Sequence, residues 1–68
     1  MYIVIEIQVN SGKVSTLTYQ YEDLDHANAK YHAILAAAAV SEIEAHSAVI
    51  LTAWGAMVKS ECFRHDGE

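Results

Sequence analysis

The chain has a single cysteine, Cys62, and four basic side chains, Lys13, Lys30, Lys59 and Arg64, in 68 residues. One cysteine excludes an intrachain disulfide. Four scattered cations against nine carboxylates leave a net charge of −5, which argues against neutralising a phosphate backbone, so no nucleic-acid partner is expected. Glycine is scarce too. Gly12 and Gly55 fall where turns are needed and Gly67 near the end, which leaves no glycine-rich loop to cradle a phosphate. The apolar run 33–40 is too short to span a bilayer. The first residues lack a basic segment and meet a carboxylate at Glu6, so no signal peptide is expected. A cytoplasmic protein with no membrane partner is the resulting expectation.

What is present is 53% apolar, a globular composition and not a disordered one. Residues 1–64 are expected to form one domain, with 65–68 a frayed tail. A domain this small buries only about 60% of its unfolded surface, so one core is marginal without a partner or a staple.

Residues 2–9 alternate with period two: Ile3, Ile5, Ile7 and Val9 on one side, Tyr2, Val4, Glu6 and Gln8 on the other. That is a strand. Asn10, Ser11 and Gly12 are turn residues, and 14–21 alternates again, with Leu17, Tyr19 and Tyr21 together. A two-residue loop would pair Asn10 with Lys13 and set Ile5 opposite Thr18. A three-residue loop with Gly12 left-handed sets Ile5 opposite Leu17 and Ile3 opposite Tyr19, and this is the expected one.

A helix is expected to open near Asp23, whose carboxylate suits exposed amides and the positive end of the dipole. Leu24, Ala27, Tyr31, Ile34, Leu35 and Ala38 share a stripe at three- and four-residue spacing, the face expected on the sheet. The opposite side is Ala29, Ala33, Ala36, Ala37 and Val40, and no formal charge occurs between Lys30 and Glu42. A helix apolar on both sides is usually covered on both.

Residues 46–51 and 56–63 read as a second hairpin. A loop of Ala53, Trp54 and Gly55 would pair Thr52 with Ala56, Ile50 with Val58, Ala48 with Ser60 and His46 with Cys62. The expected fold is therefore α+β, a ββαββ two-layer sandwich with one helix on a four-stranded, mainly antiparallel sheet. The helix is expected over Ile3, Ile5, Ile7, Leu17, Tyr19, Ile50 and Val58. The other sheet face then presents Val4, Val14, Val49, Leu51, Met57 and Phe63, diluted by Glu6, Lys59 and Glu61. Two surplus apolar surfaces imply a homodimer, through Ala29, Ala33, Ala36, Ala37 and Val40 of the helix or through Val49, Leu51, Met57 and Phe63 of the sheet.

Chemistry is sparse. His32, His46 and Cys62 have ligand types suited to zinc, and His46 with Cys62 resembles a base and nucleophile. There is no CxxC, HxxxH or HExxH, and no second helix N-terminus for an oxyanion hole. A metal or thiol site on those three residues is the alternative to a non-catalytic role, and no cofactor is expected. In the expected register His46 and Cys62 are a buried core pair, with Ser41 or Ser60 satisfying the imidazole and stability falling below about pH 6. Trp54 at a hairpin tip either folds over the sheet edge or contacts another protein.

The segments Tyr31-His32-Ala33-Ile34-Leu35-Ala36-Ala37-Ala38-Ala39-Val40-Ser41 and His46-Ser47-Ala48-Val49-Ile50-Leu51 resemble a group of small uncharacterised proteins from Firmicutes-type gut anaerobes, often encoded near mobile-element genes. The resemblance implies a bacterial cytoplasmic setting and a non-enzymatic role.

Overall fold

The structure is a computed structural model that describes residues 1–65. Of the expected tail, 66–68 lie outside the described residues. Among the described residues four strands and one helix follow the order ββαββ: β1 Tyr2–Asn10, β2 Lys13–Tyr21, α1 Leu24–Ala39, β3 Ala45–Thr52 and β4 Met57–Arg64. The strands form one antiparallel sheet in the order β2-β1-β3-β4, with α1 against one face. This is the expected α+β sandwich, and β3 joins the sheet beside β1.

The helical stripe lies on the sheet as its periodicity requires: Ala27, Tyr31, Ile34, Leu35 and Ala38 are buried. Ala29, Ala33, Ala36, Ala37 and Val40 are exposed on the outer side. Asp23 precedes the helix in extended conformation without a side-chain cap bond. Its carboxylate accepts from His26 Nδ1 at 2.7 Å, not from the amides it was expected to cap. His65, at the start of the expected tail, is hydrogen-bonded: its amide donates to Glu44 O at 2.8 Å, and its Nε2 donates at 2.9 Å to the Ala38 carbonyl, which also accepts from the Ser41 amide.

Both hairpins depart from the expected register. In the first, Ser11 and Gly12 both have positive φ, 55° and 76°, the geometry of a two-residue type I′ turn. Asn10 therefore pairs with Lys13, Ile5 with Thr18 and Val4 with Tyr19. In the second, the three-residue loop is as expected: Thr52 N donates to Ala56 O at 2.8 Å, with Gly55 at φ 86°. A bulge then shifts the ladder by one residue, pairing Leu51 with Met57 but Ile50 with Lys59. As a result His46 faces Phe63, and Cys62 faces Ser47.

These shifts reverse two of the four strand faces. The helix covers Val4 and Glu6, with Tyr19, Ala48 and Ile50, not the isoleucines of β1 and not Val58; Leu17 is on the helix side but exposed. Val4, Ala27, Tyr31, Ile34, Leu35, Ala48 and Ile50 form the core, with Tyr2, Tyr19, Tyr21 and Phe63 packed at its margin. Its largest fully buried side chains are Ile50 and Val4. That core is small.

Candidate functional site

A sheet in a two-layer sandwich ordinarily turns its apolar side to the helix and its polar side to water. Here β1 and β4 depart from that pattern, turning polar and charged side chains to the helix side. Alternation about Val4 and Ile50 puts Glu6, Gln8, His46, Lys59 and Glu61 on the helix side. The open side carries Ile3, Ile5, Ile7 and Val9 of β1, Val49 and Leu51 of β3, and Met57 of β4. Ile3 is paired with Leu51 and Ile5 with Val49, so these side chains make one continuous patch. Around it lie Thr16, Thr18, Gln20, Ser47, Ser60 and Cys62. Among the described strand residues the one charged side chain at an open-face position is Arg64, at the end of β4. An apolar centre with an uncharged polar border has the anatomy of a protein interface.

Phe63, expected on this open face, is instead on the helix side opposite His46 and packs against the core. Val4, Glu6, Lys59 and Glu61 were likewise placed on the wrong side. Val14, Val49, Leu51 and Met57 are on the open face as expected, and the isoleucines join them. A shallow depression of about 350 Å³ between β3 and β4 is lined by Ser47, Ala48, Val49, Ser60, Glu61 and Cys62.

The charges turned toward the helix are paired at its margin. Lys30 Nζ stands 4.2 Å from the centre of the Tyr19 ring and Lys59 Nζ 5.2 Å from that of Tyr31, both within cation–π range. Burial, with the nearby Glu61 carboxylate, pushes the Tyr31 hydroxyl pKa up. Deeper in, His46 and Glu6 form a nearly buried pair, Nε2 to Oε2 2.6 Å. An ionised carboxylate only accepts, so Nε2 carries the proton. Gln8 Nε2 donates to the same oxygen at 2.9 Å. Burial alone would raise the Glu6 pKa, but the bonds from Gln8 and His46, with the charges of His46 and Lys30, outweigh it and hold the carboxyl below its ordinary value. His46 Nδ1 is buried without a partner.

The expected core pair of His46 and Cys62 is thus corrected. His46 is buried on the helix side as expected, but its partner is Glu6, not Ser41 or Ser60. Cys62 is exposed and belongs to the opposite face, and His32 is exposed on the helix. The sheet itself lies between the imidazole of His46 and the thiol, so the three proposed ligands do not converge. Among the described residues no group of three or more histidine, cysteine or carboxylate side chains is placed to hold a metal ion. Trp54 is 85% exposed. It does not fold over the sheet edge, and its amide donates to Thr52 Oγ1 at 3.3 Å.

Sequence reasoning missed Glu6 and the isoleucine face. A carboxylate in the middle of a strand was the visible signal for the first, but its partner lies forty residues away. No protein-family model matches the chain, no curated protein matches its sequence, and no solved structure matches it.

Proposed function

We propose that this chain is a small non-catalytic interaction protein that works as a homodimer, with the open sheet face as the contact. The observation that carries the reading is the open face itself: β1 turns Ile3, Ile5, Ile7 and Val9 to it and Glu6 and Gln8 toward the helix. Four strands about 4.8 Å apart, each of about eight residues at about 3.3 Å, give a face of roughly 500 Å² in projection. Two such faces together reach the roughly 1,000 Å² that a specific interface requires. A second copy fits because its own open face is equally apolar and bears no carboxylate at a strand position, and apposing the two keeps the acidic groups responsible for the net charge of −5 out of the contact. It also gives a chain with a small core a second apolar layer, as an aligned sheet-on-sheet packing.

The non-catalytic part of the reading rests on His46 being engaged by Glu6 and on the separation of Cys62 from it. Trp54, displayed at the tip of the second hairpin, is the proposed contact for a different protein. The resemblance of 31–41 and 46–51 to small Firmicutes-type proteins near mobile elements supports a bacterial, cytoplasmic setting. No helix among the described residues is long and apolar enough to cross a membrane.

Light scattering at high micromolar concentration tests the proposal. The native chain should show two chain masses or a multiple of two, and Ile5→Glu should lower that mass with the far-UV spectrum retained. A native monomer defeats the reading.

A further inference from the structure

The two edges of the sheet differ. β4 is guarded by Lys59, Glu61 and Arg64 and by the bulge beside Ile50 and Leu51, devices that block pairing with another strand. β2 has none of these. Its nine residues carry no charge after Lys13, no proline and no glycine, and its ladder to β1 is regular from end to end. The closing pair of a two-residue hairpin is hydrogen-bonded in both directions, so odd-numbered residues of β2 turn their amides to β1. The N–H and C=O groups of Val14, Thr16, Thr18 and Gln20 therefore point out along the free edge.

We infer that this edge pairs antiparallel with β2 of a second copy, about a two-fold axis at Leu17, joining two four-stranded sheets into one of eight. Three observations select a second copy. Leu17 is the middle residue of β2 and is 52% exposed although it lies on the helix side, because α1 sits mainly over β3 and approaches β2 least. A two-fold axis there covers Leu17 with its own symmetry mate. The same axis sets Thr16 opposite the partner's Thr18, a favourable cross-strand pair, and sends the outward amides of Val14, Thr16, Thr18 and Gln20 to matching groups. Finally, it brings Lys13 to the partner's Tyr21 and next to the partner's Glu22, so the opposite charges at the two ends of the segment meet. A symmetric edge contact of this kind closes on itself after two chains.

This contact is separate from the sheet-face contact of the proposed function, and two sets of variants tell them apart. Leu17→Lys places like charges directly opposite across the axis while keeping every backbone bond of the monomer. Thr18→Pro removes an outward N–H that the monomer does not use, a position where an edge strand tolerates proline. With both contacts formed, sedimentation equilibrium of the native chain should give four times the chain mass of 7.5 kDa. Leu17→Lys and Thr18→Pro should each give two chain masses, Ile5→Glu also two, and Ile5→Glu with Leu17→Lys one. A native mass unchanged by both Leu17→Lys and Thr18→Pro overturns the edge pairing and leaves the edge to a strand of a different protein. If that unchanged mass is two chains and Ile5→Glu abolishes it, the face contact stands alone. A dimer abolished by Leu17→Lys but indifferent to Ile5→Glu upholds the edge and sinks the face.

Discussion

Replacing Glu6 by Gln probes a nearly buried charge. The amide keeps the shape and one oxygen acceptor, so the bonds from His46 Nε2 and Gln8 Nε2, 2.6 and 2.9 Å in the native chain, can still form. What is lost is the charge. Hydrogen bonds to an ionised group contribute about 1.5–3 kcal/mol against about 0.5–1.5 for neutral pairs. Two bonds therefore weaken by about 2 kcal/mol together, and the smaller desolvation cost of an amide returns part of that. The expected net loss is about 1–2 kcal/mol at pH 7. Glu6→Ala should lose about 3–5 kcal/mol, because it leaves a buried donor facing no acceptor. A chain of this length has a total stability of roughly 3–10 kcal/mol, so Glu6→Ala should lose about a third of it or more.

The pH dependence separates charge from shape. Glu6 is held below its ordinary value of 4.5, so its contribution is complete above that pH and is lost as pH falls through the lower folded value. Urea unfolding followed by far-UV circular dichroism at one protein concentration should show the native chain and Glu6→Gln converging as pH falls below 4.5. Trp54 fluorescence is a poor probe, since the ring is already exposed. Equal stabilities at pH 7, or curves that stay parallel through the whole acid range, would refute the assignment of the bond to an ionised carboxylate.

Ile50→Ala should cost about 2–5 kcal/mol by urea unfolding, since it empties the centre of a small core; a loss under 1 kcal/mol would mean the core packs otherwise. Gly55→Ala should cost about 1 kcal/mol from backbone strain alone, because φ is 86° and nothing lies within 4 Å of an added Cβ. Cys62 borders the open face, so its reaction with a thiol reagent should slow several-fold between low and high micromolar native protein. In Ile5→Glu the rate should not depend on concentration, and equal slowing there would contradict shielding by the sheet face.

The helix was legible apart from its cap, where Asp23 bonds His26. Its stripe from Ala27 to Ala38 repeats at three and four residues, a pattern that admits one buried face. The face of β1 was not. One side is wholly apolar and the other mixes Tyr2 and Val4 with Glu6 and Gln8, and assigning the more apolar side to the core assumes that the core is inside one chain. The first turn misled for a local reason: Ser11 takes a positive φ of 55°, which an L-residue adopts at a cost and which the sequence does not announce. In the second hairpin the loop was read correctly, but one extra residue at the bulge turned Cys62 to the far side of the sheet and His46 toward Phe63. The Glu6–His46 bond depends on the pairing of β1 with β3, and no local pattern sets that register.

The central claim is that the surplus apolar surface of the sheet, and not that of the helix, holds two copies together. Sedimentation equilibrium of the native chain, of Ile5→Glu and of Ala33→Glu with Ala37→Glu compares the two surfaces directly. The account predicts that Ile5→Glu halves the native mass and that the two helix substitutions leave it unchanged. A native mass halved by the helix substitutions and untouched by Ile5→Glu would contradict it.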